Sequence, residues 1–148
     1  MNALSAEELL SAADLERVRE AVRRAEARTS GEIRVHLDDT IVDDALDHAA
    51  FIFEELGMHR TQDRNAVLIY ISVAERRAAV IGDSGINAKL PDGYWNETLG
   101  VMLEQFKADR YCEGLCMGVE RLGEQLRAHF PRDTNDRNEL SDDVSIGR

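Results

Sequence analysis

Apolar residues fall into blocks of helical or strand spacing along this chain, and the order of the blocks outlines a fold. Across 14–28, Leu15, Val18, Val22 and Ala25 recur every three or four positions, with Arg17, Glu20, Arg24 and Arg28 opposite them. That is the pattern of an amphipathic helix covering a core. Ser5 and Ser11 each stand where a helix start would need a capping hydroxyl. Ser30-Gly31 interrupts the helix, and Glu32-Ile-Arg-Val-His-Leu-Asp38 then alternates polar and apolar as a strand does. A second helix is expected from a cap at Asp39 or Thr40 through Leu56, with Ala45, Ala49, Ile52 and Phe53 inward and Gly57 as its C′ residue.

Residues 65–72, Asn-Ala-Val-Leu-Ile-Tyr-Ile-Ser, are apolar on both faces and read as a central strand. Residues 73–76 turn the chain, and 77–81 return as a third strand. Helices follow over 94–108, anchored by Trp95, Leu99, Met102, Leu103 and Phe106, and over 113–130, with Leu115, Val119, Leu122 and Leu126 inside. Gly114, Gly118 and Gly123 would each cost that helix about 1 kcal/mol against alanine, which close helix packing can offset. Pro131 stops it. The order predicts an α/β fold: a strand-helix-strand unit with parallel strands, an antiparallel hairpin strand, and helices on both faces of a small mixed sheet. Residues 1–130 form one domain. The acidic tail, 131–148, is too poor in apolar groups to build a core and is expected to be disordered, with Leu140, Val144 and Ile146 as the positions by which it would dock.

Charge narrows the partners. The 148 residues carry a net −11 and a pI near 4.8, which argues against nucleic acid and anionic lipid, since both need a basic footprint. Divalent cations or basic protein surfaces are the natural complements, unless the charge serves solubility alone. No segment approaches the ~18 apolar residues of a membrane span. The N-terminal residues lack a basic region followed by an apolar core, so the expected location is cytoplasmic. Cys112 and Cys116, four apart on one helix, suit neither a disulfide nor a complete zinc site. They read as small core residues in a reduced compartment.

Candidate chemistry centres on Asp83, held between Gly82 and Gly85 after the third strand. An antiparallel third strand brings its C-terminal end beside the starts of the other two, so Asp83 should approach Ser30, Gly31 and Glu32 on one side and Asp63, Arg64 and Asn65 on the other. Glu32, Asp63 and Asp83, with Asn87 or loop carbonyls, then form an oxygen-rich set suited to Ca²⁺ or Mg²⁺. The ordinary alternatives are ion pairs of Glu32 and Asp63 with Arg64, and Asp83 as the cap of the next turn. At the opposite end stand Asp38, Asp39 and Glu75, read as a helix cap and a solvated turn. His36, His48, His59 and His129 are scattered, with surface or capping roles. No serine has a nucleophile-elbow context. Tyr94 and Trp95 line either a peptide groove or the core.

Thr29-Ser-Gly-Glu-Ile-Arg-Val-His36, Leu56-Gly-Met-His-Arg-Thr61, Arg64-Asn-Ala-Val-Leu-Ile69, Ile81-Gly-Asp-Ser-Gly-Ile86 and Glu113-Gly-Leu-Cys-Met-Gly118 together resemble the TPM domain. That family takes its initials from a thylakoid lumen protein, a photosystem II repair factor and a receptor modulator. The resemblance implies a compact three-layer α/β/α sandwich, divalent-cation binding in several members, and acid phosphatase activity in plant ones. Asn87 stands where many members carry a carboxylate. Two functions follow as expectations. The first is a cation-binding module for a protein or peptide partner, without a reaction of its own. The second is a metal-assisted acid phosphatase acting on phosphomonoesters, with Arg64 neutralising the phosphate.

Overall fold

In the computed structural model, which describes residues 5–39, 44–132 and 144–147, the Ser11 hydroxyl accepts from the Asp14 amide at 3.1 Å and opens α1 (Ala12–Glu26). Ser5 caps only a single turn, its hydroxyl accepting from the Glu8 amide. Then come β1 (Glu32–Asp38), α2 (Ala45–Glu55), a 3₁₀ turn (Met58–Arg60), β2 (Ala66–Ser72) and β3 (Arg77–Gly82). A one-turn helix, α3 (Ser84–Asn87), precedes α4 (Tyr94–Lys107) and α5 (Tyr111–His129). The last element among the described residues is a short strand, β4 (Ser145–Gly147).

The sheet order is β3-β2-β1-β4, with β2 parallel to β1 and antiparallel to β3. Period-two alternation splits the strands between two cores. Ile33, Val35, Leu37, Val67, Ile69 and Ile71 face α1, α4 and α5. Ala66, Leu68, Tyr70 and Ala79 face α2 and the 3₁₀ turn. Helices on both sides of one mixed sheet make the expected three-layer α/β/α sandwich, with β2 buried along its whole length. Leu115, Leu122 and Leu126 of α5 are fully buried in the larger core, each stabilising by about 2 kcal/mol. The glycines of α5 admit neighbours: a Cβ at Gly118 would strike Met102, and one at Gly123 would lie 2.7 Å from Ala25. Cys112 is buried and free, and burial pushes its thiol up to about 12, as a core role requires.

Two expectations are corrected. Helix α2 is capped by Asp44, whose side chain accepts from the Asp47 amide at 3.0 Å, and not by Asp39. Asp39 instead accepts from the Ala6 amide at 2.5 Å, tying the N-terminal turn to the end of β1. Thr40, the other expected cap, lies outside the described residues. The second correction concerns residues 144–147 of the tail alone, since 133–143 and 148 lie outside the described residues. Val144 is buried and Ser145–Gly147 pairs parallel with His36–Asp38, so these residues are ordered into the sheet. The physical reason is the outer edge of β1, whose backbone groups need partners. Glu26 serves its first half by accepting from the Ile33 amide at 2.7 Å, and β4 serves its second half. Leu140 lies outside the described residues.

Candidate functional site

Two ends of the sheet carry polar side chains. The first is the rim where β3 ends beside the starts of β1 and β2. Strand pairing brings the Asp83 amide to 2.9 Å from the Ala66 carbonyl, and the Gly85 amide to 2.7 Å from the Arg64 carbonyl. Gly85 is required there, because a Cβ would collide with the backbone oxygens of Asp63 and Arg64. Across the rim, the Asn65 amide group donates to Ser30 Oγ at 3.2 Å. The topology therefore gathers the segments expected around Asp83.

The side chains there are committed to one another. Arg64, at φ 51°, grips Asp83 bidentately, Nε to Oδ2 at 2.7 Å and Nη2 to Oδ1 at 2.9 Å. Asp83 Oδ1 also accepts from the Ser84 amide at 2.7 Å, capping α3. Asn87 donates to the Gly82 carbonyl at 2.7 Å and accepts from Trp95 Nε1 at 2.9 Å. Trp95 is half-buried against the larger core. Asp63 is exposed, while Glu32 is buried and lies opposite Ala66 on the α2 face. Among the described residues, no group of three or more His, Cys, Asp or Glu side chains is arranged to hold a metal ion. In this arrangement a divalent cation would have to displace the Arg64 guanidinium from the Asp83 carboxylate.

The second place is the C-terminal end of the parallel pair, where α/β sheets commonly present ligands. Alternation sends Glu32, Arg34, His36 and Asp38 to the α2 face, opposite Ala66, Leu68, Tyr70 and Ser72. Asp38 is 1% exposed. Its Oδ2 accepts from the Tyr70 hydroxyl at 3.2 Å and lies 3.1 Å from His48 Nε2, contributed by α2. His36 Nε2 is 3.8 Å from the same oxygen. The His36 ring stacks on Tyr70, with centroids 6.0 Å apart and planes 11° from parallel. On its other side, His36 Nδ1 meets Ser145 Oγ of β4 at 2.7 Å.

Electrostatics follow from burial. Desolvation pulls His36 below the usual imidazole range, against the opposing pull of Asp38, and Arg34 and His48 push the same way as burial. Burial, then the Asp38 charge, pushes the Tyr70 phenol far above its ordinary value. Tyr70 is thus a fixed donor and His36 a neutral ring at pH 7. His36 Nε2 is buried with no hydrogen-bond partner among the described residues. On α2, Phe51 remains 55% exposed while its ring packs 5.7 Å from His48.

The scattered histidines of the sequence are therefore not scattered in space: His36 and His48 converge on Asp38. That corrects the surface roles expected for them. The signal was present in the alternation of residues 32–38, which sends four polar side chains to one face of a strand. What was missing was the identity of the element covering that face.

The chain matches the TPM domain family over residues 5–125. Among solved structures it is similar to the BA42 protein of the psychrophilic bacterium Bizionia argentinensis, at 39% identity and a TM-score of 0.88, covering 95% of this chain and 97% of that one. The N-terminal domain of a P. gingivalis protein shares the fold at 22% identity and a TM-score of 0.68, over 88% of this chain and 96% of that one. The N-terminal domain of cg2496 from Corynebacterium glutamicum does so at 13% identity and a TM-score of 0.62, over 79% and 74%. No curated protein matches the chain. The sandwich, its strand order and the matched span together make this chain a member of the TPM domain family.

Proposed function

We propose that this domain is a binding module that receives an extended peptide segment by strand addition along the outer edge of β1. One observation carries the reading: the chain's own Ser145–Gly147 already lies there as a parallel strand, in register with His36–Asp38. The Asp39 amide donates to the Gly147 carbonyl at 3.1 Å, and His36 meets Ser145 through its ring. Backbone pairing supplies affinity in this mode, and side-chain positions supply selectivity. The selecting positions are a hydroxyl opposite His36, an aliphatic group toward the larger core, and a glycine over Asp38. Gly147 fills the last, since a Cβ there would come within 2.8 Å of Asp38 Oδ1 and 2.9 Å of His36 Nε2. The exposed Phe51 beside His48 extends the same face.

A fluorescent peptide of sequence Val-Ser-Ile-Gly-Arg tests this. Gly147→Val dislodges the resident strand, so the variant should bind the peptide about tenfold more tightly than the native chain, which must first release its own. Equal affinities, or none, reject strand exchange at this edge.

Cation binding takes second place in the reading. An ion at the Asp83 rim competes with Arg64, whose side chain is half-exposed, and the exposed Asp63 is the nearest additional donor in sequence. Ca²⁺ should then shift the amides of 63–65 and 82–87 at lower concentration in Arg64→Ala than in the native chain. Equal sensitivity removes this rim from consideration. The phosphatase alternative needs the same guanidinium for phosphate, and that guanidinium is bound to Asp83.

A further inference from the structure

The turn that joins β2 to β3 opens onto a cavity of about 380 Å³ between the sheet and the α4–α5 junction. Its inner wall is apolar: Leu9, Ile71, Leu103 and Phe106 contribute, and Tyr111 stacks on Phe106 with centroids 5.3 Å apart. Its mouth is cationic. Arg76, Arg77 and Lys107 line it, against a single acid, Asp109. In a chain with 29 acidic and 18 basic residues, three cations against one acid is a local departure from the overall charge balance. Arg76 and Lys107 are exposed, and neither forms an ion pair among the described residues.

Backbone conformation marks the same place. Only three described non-glycine residues have positive φ, and two of them, Arg76 at 52° and Asp109 at 60°, line this cavity. Side chains adopt that region only at a cost in backbone strain, and such outliers cluster at binding sites. Here the left-handed turn carries Arg76 at the mouth, where a glycine would have served the backbone better.

We propose that this cavity binds a small amphipathic carboxylate, with its apolar body against Leu103 and Phe106 and its charge held by Arg76 and Lys107. The volume fits a chain or ring of modest size. A few placed cations at the lip of an apolar wall orient such a ligand, and neither wall nor lip suffices alone. Its apolar wall belongs to the larger core, whereas the Asp38 side chain faces α2, so the proposal does not rest on strand addition at β1.

Sodium octanoate titrated into the isotope-labelled full chain at pH 7 tests the site, with acetate and 1-octanol as probes of charge alone and chain alone. Octanoate should shift the amides of Arg76, Leu103, Lys107 and Tyr111 saturably, with acetate and octanol each about tenfold weaker. Lys107→Gln should weaken octanoate binding about tenfold, the scale of one charge-assisted hydrogen bond. Arg76→Gly should weaken it equally while leaving the thermal midpoint unchanged or raised, because glycine relieves the positive φ. Octanoate shifts at other residues, acetate as potent as octanoate, or affinity untouched by both substitutions would overturn the assignment.

Discussion

Both ends of the sheet hold a nearly buried aspartate, yet Asp83 and Asp38 are held by different chemistry. Asp83 sits between an arginine fork and a backbone amide, partners that keep their charge and place at any ordinary pH. Asp38 sits between a phenol and two imidazoles, one of which also holds a strand contributed from the far end of the chain. The first arrangement is a clasp that closes the fold. The second is a buried polar cluster covered at one side by a three-residue strand. Nearness of acidic residues does not by itself make a binding site; what already occupies the carboxylate decides.

The largest effect that separates the two ends should come from Gly85→Ala. Its methyl would enter the backbone of 63–64, and the loss in urea unfolding should be about 3 kcal/mol or more. Asp38→Ala follows, at about 2 kcal/mol, because it strands the buried Tyr70 hydroxyl and removes the acceptor from His48. A cost at Asp38 below 0.5 kcal/mol would mean that this end is not the buried network described here.

Smaller and confined to one end is the response to pH. Burial lowers the His36 pKa in the folded chain below the ordinary imidazole value of about 6.5. The released or unfolded state therefore takes up more protons, and the docked state is favoured as pH rises. The contribution is complete above about pH 6.5 and declines as pH falls from there through the folded-state value. Amides of 145–147 should lose hydrogen-exchange protection between about pH 7 and pH 5, whereas those of 83–87 should not. Asp38 and His48 face the same ring, and Arg34 lies on its strand, so His36→Gln is the control: it should flatten the dependence.

Most of the fold was legible because it rests on local pattern. The bounds of β1, β2, β3 and α4 read from periodicity, and the ends of α2 and α5 read from Gly57 and Pro131, fall within a residue or two of those observed. The hairpin reversal that gathers Ser30, Asn65, Arg64 and Asp83 at one rim was legible too. The use of that rim was harder to read. Whether Arg64 pairs with Asp83 or leaves it to an ion depends on a left-handed φ at Arg64 that no spacing announces. The cap of α2 was misplaced because Asp39 and Asp44 are equally good capping residues, and only the fold tells which one starts the helix. Strand β4 was missed for a related reason: three residues carry almost no strand signal, and their order comes from an edge formed a hundred residues earlier. The Asp38 cluster combines both difficulties, since its members come from β1, α2, β2 and β4.

The smallest of the substitution effects belongs to Gly147→Val, which should lower unfolding stability by about 1.4 kcal/mol, the tenfold competition expressed as free energy, while releasing β4. That variant also provides the most direct measurement. Titration of unlabelled Val-Ser-Ile-Gly-Arg into the isotope-labelled Gly147→Val chain, followed by amide NMR, reports where a strand docks. The account predicts saturable shifts at residues 35–39, with His48 and Tyr70 following. Shifts concentrated at 63–65 and 82–87, or no saturable shift, would contradict it.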